Sequence, residues 1–399
     1  MTAAALDFNV TTELKSDLGK LRMRALIAGV IGTVLSVVGL FSNPNQFYQS
    51  YLWSYMLILG LSLGSLAWLM LQYVTSGAWG VVTRRACEAA ARTLPLVAIM
   101  FVPILIGMNN LYEWMHPDKV AASAMLTHKA PYLNLRFFLI RAAVYFGGWL
   151  LLSWHFNHWS TVEDRDGNRV AHGKMTFWAG PGLIFWALTV TFMAVDWVLS
   201  VKPEWFSTMF GLLFIASQGL TSMAFLITVM VFLSSRRPMS EVLTPRHLHD
   251  MGKFMLALVM VWAYFSFSQF LIIWAGNLPE EIPYYMTRLN GGWQYVALAL
   301  VFGHFALPFA LLLSRDLKRN FKLLARIAVF ILFIRCVDLY WQVTPYFKGS
   351  GFGLSWMDFT VPIGLIGLWL SLFLFQLEKR PLIPINEPEL VEALDHGRE

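Results

Sequence analysis

The sequence predicts an all-α, polytopic membrane protein with ten transmembrane helices. Three observations carry that reading. Apolar types make up 57% of the 399 residues and charged types only 14%. Mean hydropathy is +0.57. The apolar residues also fall in long runs separated by short basic or aromatic segments. A soluble surface needs roughly 25% charged residues. The composition therefore excludes a disordered chain, a coiled coil, a disulfide scaffold and an ordinary soluble enzyme.

A helix needs about 20 apolar residues to cross the hydrocarbon core. Runs of that kind lie at 23–41, 51–74, 91–108, 137–156, 178–199, 209–233, 252–275, 292–314, 321–342 and 359–377. The first follows Lys15, Lys20, Arg22 and Arg24, as a signal peptide would. No small-x-small cleavage site comes after it, and Ser42-Asn43-Pro44-Asn45 reads as a turn, so this helix is expected to be retained. Residues 1–22 and 378–399 are then short extramembrane segments, the latter with Pro381, Pro384 and Pro388 ahead of acidic residues.

Lys and Arg set the orientation. With ten spans, alternate connections and both ends carry 21 basic residues, among them Arg84, Arg85, Arg165, Arg236, Arg315, Arg380 and Arg398. The other connections carry 6: Lys119, Lys129, Arg136, Lys202, Arg288 and Lys348. The positive-inside rule places both termini in the cytoplasm of a cell inner membrane. Tyr48, Tyr51, Trp53, Tyr112, Trp114, Trp205, Tyr284, Tyr285, Trp293, Tyr340, Trp341 and Trp356 gather at the outer boundary, where an interfacial aromatic belt is expected. The net charge of +6 is dispersed between spans, which argues against nucleic acid as a partner.

Gly60 and Gly64 form a GxxxG pair, and Gly147, Gly148, Gly364 and Gly367 are similar signals of close helix packing. Cys87 and Cys336 form no CxxC or CxxCH motif, so the chain offers no iron–sulfur, c-type haem or zinc-ribbon site. His155 and His304 fall in spans at different depths and do not make a paired-histidine haem site. No metal site is expected.

Ionisable residues inside spans are the functional candidates, because each costs about 2.5–3.5 kcal/mol on insertion scales and so needs a partner, water or a purpose. They are Arg141 in the fourth span, Asp196 in the fifth, His304 in the eighth, and Arg335 and Asp338, spaced i,i+3, in the ninth. Read at 1.5 Å per residue, Arg141, Asp196, Arg335 and Asp338 converge on the outer half of the bundle. Two readings follow: ion pairs that only hold helices together, or an outer polar cavity that holds a quinone head group or conducts protons.

Several stretches resemble one family. Leu59–Tyr73 (LGLSLGSLAWLMLQY) leads into TSGAWGVVTRR at 75–85, EAAARTLP at 88–95 and FVPIL at 101–105; AVDWVLS at 194–200 is followed by PEWFST at 203–208. Together these are similar to the NrfD-like (PsrC-like) integral membrane subunits, most of all the smaller such subunit (ActF) of bacterial alternative complex III, a quinol:electron-acceptor oxidoreductase. The resemblance is dense over 50–210 and weaker beyond. It implies two four-helix bundles related as inverted repeats, at 51–199 and 209–342, with the spans 23–41 and 359–377 flanking them. It implies partners: a larger NrfD-like subunit, an iron–sulfur and molybdopterin-like subunit, and c-type haem subunits. The haem c and iron–sulfur clusters would sit on those partners, and this chain would bind no cofactor itself beyond a quinone, menaquinol or ubiquinol. Of the family's pattern, Asp196 falls in the Asp-Trp motif; Arg141, Arg335, Asp338 and His304 are candidates by location. The expected function is quinol oxidation in an electron-transfer complex with transmembrane proton translocation. The alternatives are a stand-alone secondary transporter of a small solute and a membrane scaffold.

Overall fold

The computed structural model describes residues 7–167, 169–349 and 351–396. Arg398, counted above among the basic residues, lies outside them. Ten long helices follow in order: α1 (Thr12–Ser42), α2 (Pro44–Thr75), α3 (Ala78–Ile106), α4 (Leu135–Asp166), α5 (Arg169–Val201), α6 (Met209–Leu233), α7 (Pro245–Gly276), α8 (Trp293–Leu313), α9 (Phe321–Val343) and α10 (Met357–Leu377). A short α11 (Leu390–His396) ends the chain. There is no strand among the described residues. Nine of these helices are long and apolar enough to cross a membrane, and the protein is a multi-pass membrane protein. The exception is α9, which is 23 residues long but carries Lys322, Arg326, Arg335 and Asp338.

Local chemistry starts and stops these helices where the sequence turns polar. Asn43 caps α2 by accepting from Gln46 N at 3.2 Å, with Pro44 at the first helical position. Asn134 caps α4 through Phe137 N at 2.9 Å, and Asn320 caps α9 through Leu323 N at 3.1 Å. Thr244 opens α7 in a capping box with His247. Gly167 (φ +59) ends α4 in the left-handed region that favours glycine. The helices run past the apolar stretches read from sequence: α3 begins at Ala78 rather than 91, and α4 ends at Asp166 rather than 156. Helical propensity and tertiary contacts extend them beyond the hydrophobic signal.

α2 packs against α3, α5, α6, α9 and α10 and is buried along most of its length. α4 packs on α5 and on α3. On the other side, α6 packs against α7 and α9, and α8 lies against α7 and α9. The two groups meet where α2 faces α6. Gly64 marks this contact: a Cβ there would run into Ser222 and the Gln218 carbonyl of α6. Gly148 lies against the Phe185 ring, whereas Gly147 faces open space, so that glycine has no packing role.

The first and last long helices pair with each other. A Cβ on Gly29 would approach Leu368 N to 2.6 Å, and one on Gly32 would approach Gly364 N to 2.5 Å. Glycines on both sides thus let α1 and α10 cross backbone to backbone. The remaining surface of α1 is apolar and exposed, with Ile31, Val34, Val38 and Phe41 all more than half accessible, as suits a helix solvated by lipid tails.

Two expectations need correction. Most of the aromatic residues assigned to an interfacial belt are interior: Tyr48, Tyr51, Trp53, Tyr112, Trp114, Trp205, Tyr284, Trp293 and Tyr340 are buried, Tyr285 and Trp341 are half-buried, and Trp356 is exposed. The connections between spans fold over them; Trp205 stacks on Tyr284 at 3.9 Å between ring centroids. The tail after α10 is also no loose extension. Leu382 N donates to Phe8 O at 3.0 Å, Asn386 Nδ2 to Asp164 O at 2.9 Å, and His247 Nε2 lies 3.1 Å from Ala393 O. Leu382, Ile383, Leu390 and Ala393 are buried. Residues 381–396 form a strap across the face where α1 begins and α10 ends.

Candidate functional site

The sequence candidates resolve into two clusters, one in each group of helices. Asp196 sits in a π-helical turn, Ala194–Val198, at the end of α5. Such turns insert an extra residue into the helical ladder and often mark functional positions. Here the turn aims Asp196 at α4. Its Oδ2 accepts from Arg141 Nε at 2.8 Å and from Tyr145 Oη at 2.7 Å, and its Oδ1 accepts from Tyr132 Oη at 2.9 Å. Arg141 also donates to Tyr132 O at 3.0 Å and lies over the Tyr132 and Phe137 rings at 3.9 and 4.5 Å. Burial, then the Asp196 charge, pushes the Tyr132 hydroxyl up from its ordinary value, so it remains a donor. Trp197, fully buried beside Asp196, packs among Phe101, Phe146 and Trp149. The Asp196 carboxylate is thus a closed ion pair, with three donors and an aromatic surround.

The second cluster is organised differently. Arg335 and Asp338 pair along α9. Asp338 Oδ1 accepts from Gln342 Nε2 at 3.0 Å, and Oδ2 accepts from Trp262 Nε1 of α7 at 3.2 Å. The Trp262 indole also meets the His304 ring edge to face, with 4.0 Å between centroids. His304 lies in another π-helical turn, Val301–Ala306, inside α8. It is fully buried, and neither ring nitrogen has a hydrogen-bond partner. Trp262 therefore bridges His304 and Asp338, which the sequence placed at different depths.

Asp338, Trp262, Trp341, Gln342 and Gln269 line a cavity of about 870 Å³ between α7, α8 and α9. The rest of its wall is mostly apolar, with Ser266, Gln294 and Tyr285 as further polar members. Met260, Tyr264 and Phe267 of α7, with Leu298 and Val301 of α8, line the cavity and are also at least half exposed on the outer surface. The cavity therefore opens sideways, where lipid would be. Its polar end holds an orphaned acceptor, Gln342 Oε1, and an orphaned donor, Trp341 Nε1. Buried polar groups are normally paired, so these two atoms suit a ligand that offers both a donor and an acceptor. Tyr285, whose hydroxyl is pushed up by burial, accepts from Gln269 Nε2 at 3.4 Å on the same wall.

The structure thus joins Arg141 to Asp196, and Arg335 to Asp338 with His304 nearby. It does not bring the four outer charges into one pocket, and the two clusters share no partner among the described residues. Sequence reasoning missed Tyr132, Tyr145, Trp262 and Gln342. Tyr145 and Gln342 stand one helical turn (i+4) from Arg141 and Asp338, which is a legible signal. Tyr132 and Trp262 arrive from other elements and leave none. No family model matches the chain, and no curated protein matches it significantly.

Proposed function

We propose that this chain is the quinol-binding membrane subunit of an electron-transfer complex, of the kind to which its sequence motifs are similar. In this reading α9 also crosses the membrane, despite its charges, which makes ten spans, and α2–α5 and α6–α9 are inverted four-helix bundles. Both termini are cytoplasmic. The observation that carries the reading is the lateral cavity: an apolar space open to lipid, ending at a buried carboxylate and an unpaired donor and acceptor. That combination suits an amphipathic molecule that partitions into the bilayer and carries a two-ended polar head.

Quinol oxidation converts one hydroquinone to one quinone, two protons and two electrons. A head-group hydroxyl would donate to Gln342 Oε1, and Trp341 Nε1 would donate to the opposite head-group oxygen. Asp338 and His304 are the groups within or next to the cavity able to take protons. Arg335 and Trp262 hold the Asp338 carboxylate in place. The electrons leave to iron–sulfur and c-type haem centres on partner subunits. Protons released at this end of the bundle emerge on the non-cytoplasmic side.

The test is purification from native membranes followed by a turnover assay with a short-chain quinol. The expected result is co-elution with haem-bearing chains and quinol-dependent haem reduction that is lost in Asp338→Asn. A chain that elutes alone and drives solute uptake in proteoliposomes would make it a transporter instead. Unaltered turnover in Asp338→Asn would remove the cavity from the mechanism.

A further inference from the structure

A second constellation lies at the opposite end of the molecule, under the strap. Arg84 of α3 is fully buried and pairs with Glu88 at 3.1 Å, and with Glu163 of α4 and Glu387 of the strap. Arg85 pairs with Glu88 at 2.7 Å and with Asp164. Arg380 reaches Glu88 at 3.1 Å. Ser160 donates to Glu88 Oε1 at 2.6 Å. His172, near the start of α5, stands against Glu163 and Glu387. Three arginines thus face four carboxylates. With His172 neutral, these seven groups hold one more negative than positive charge, and all but Asp164 and Arg380 are buried.

The carboxylate oxygens are sorted. Arg84 engages Oε2 of both Glu163 and Glu387. Both Oε1 atoms turn the other way, toward His172 Nδ1, at 3.1 Å for Glu163 and 3.6 Å for Glu387. Glu387 Oε1 is buried with no hydrogen-bond partner, in a residue only 5% exposed. All the candidate ligand atoms lie within 4.8 Å of one another. A tetrahedral ion with bonds of about 2.0–2.2 Å spaces its ligand atoms roughly 3.3–3.6 Å apart. The distance from Nδ1 to Glu387 Oε1 matches that edge length, and the 3.1 Å hydrogen bond to Glu163 Oε1 would lengthen by only a few tenths of an ångström to reach it. Orientation of ligating carboxylates by a partner on their far oxygens is what a second coordination shell does. The His172 side chain is 24% exposed, which leaves an entry path from solvent.

We propose that Glu163, His172 and Glu387 form a binding site for a divalent transition-metal ion that locks the strap onto the membrane domain. One imidazole nitrogen with two carboxylate oxygens suits zinc, manganese or ferrous iron rather than calcium or magnesium. The ligands come from α4, α5 and the strap, so the ion ties the strap to the turn between two neighbouring helices. Water completes its coordination. Binding displaces a proton from Nδ1 if the imidazole carries one there.

The test uses the complete protein with its native partners, purified in detergent through a histidine-free tag. Metal content is measured by plasma mass spectrometry, and thermal unfolding is followed after chelation and after addition of Zn²⁺, Mn²⁺ or Fe²⁺. The expected result is about one zinc or manganese ion per chain, or about one iron beyond that of the partners' haem and clusters. Chelation should lower the melting temperature, and adding one of these ions back should restore it. His172→Gln and Glu387→Gln, which keep hydrogen bonding but remove a ligand, should drop that additional ion at least tenfold and abolish the thermal response. Wild-type protein with no zinc, no manganese and no iron beyond the partners' centres, and with a melting temperature indifferent to all three ions, overturns the proposal and leaves His172 as a hydrogen-bonded member of an ion-pair network. Should a variant fail to accumulate, the wild-type metal content and thermal response still decide the matter.

Discussion

The two intramembrane carboxylates, Asp196 and Asp338, occupy opposite chemical situations. Each has an arginine partner and hydrogen-bond donors, and each is about 1% exposed. Asp196 is wrapped by Arg141, Tyr132 and Tyr145 within an aromatic surround, so its charge is spent on holding α4 to α5. Asp338 lies on the wall of a large cavity and next to unpaired polar atoms. An ion pair in low dielectric, by itself, is weak evidence for function. Both clusters hold an unpaired buried polar atom, Arg141 Nη2 beside Asp196 and Gln342 Oε1 beside Asp338; what separates them is that Asp338 lines a cavity with room for another molecule to join the network.

The strongest break of this comparison is removal of one partner of the closed pair. Arg141→Met leaves Asp196 buried and uncompensated, and should cost about 3–5 kcal/mol. The expected result is a large fall in melting temperature in detergent, with little assembled protein recovered. Next comes Gly32→Leu, whose side chain would have to enter the backbone of α10. Overpacking of this kind costs typically 1–3 kcal/mol. Cysteine cross-linking between α1 and α10 should report their separation, with quinol turnover per folded molecule retained. Filling the open site tests the other side of the comparison. Ala297→Trp projects into the cavity and should raise KM for a short-chain quinol about tenfold or more, the equivalent of ~1.4 kcal/mol, with an unchanged melting temperature. The smallest effect belongs to Gln342→Leu, which removes one hydrogen bond to the ligand and one to Asp338. A loss of roughly 1 kcal/mol in ligand binding, about fivefold, is expected from titration of tryptophan fluorescence with a short-chain quinol under anaerobic conditions. If Arg141→Met is tolerated while Ala297→Trp unfolds the protein, the assignment of roles to the two clusters is reversed.

Much of the fold was legible because hydrocarbon imposes a simple rule: the backbone must be satisfied within each span, and apolar runs reveal where. The helices form at each predicted run, and Gly64, Gly364 and Gly367 make the close contacts their motif suggests. The candidate residues were legible for a related reason, since a charge in a span is costly enough to stand out. How they group was not. Arg141, Asp196 and Asp338 have similar depths, but depth says nothing about which side of a bundle a residue faces. Trp262 looked like one more apolar residue of α7, and only its geometry makes it the donor to Asp338. The network under the strap was unreadable for the opposite reason. Arg84, Glu88, Glu163 and Glu387 lie at span ends or in the tail, where charge is ordinary and solvation is the default expectation. A tail with three prolines and several acids carries no hydrophobic period to announce that it folds back.

The seam between α1 and α10 bears on how the protein is made. The glycine face of α1 is matched by α10, although eight other long helices are synthesised between them. Until α10 emerges, that face must rest against lipid or against another protein. A ribosome that stalls between the two therefore leaves a small-residue groove open on α1.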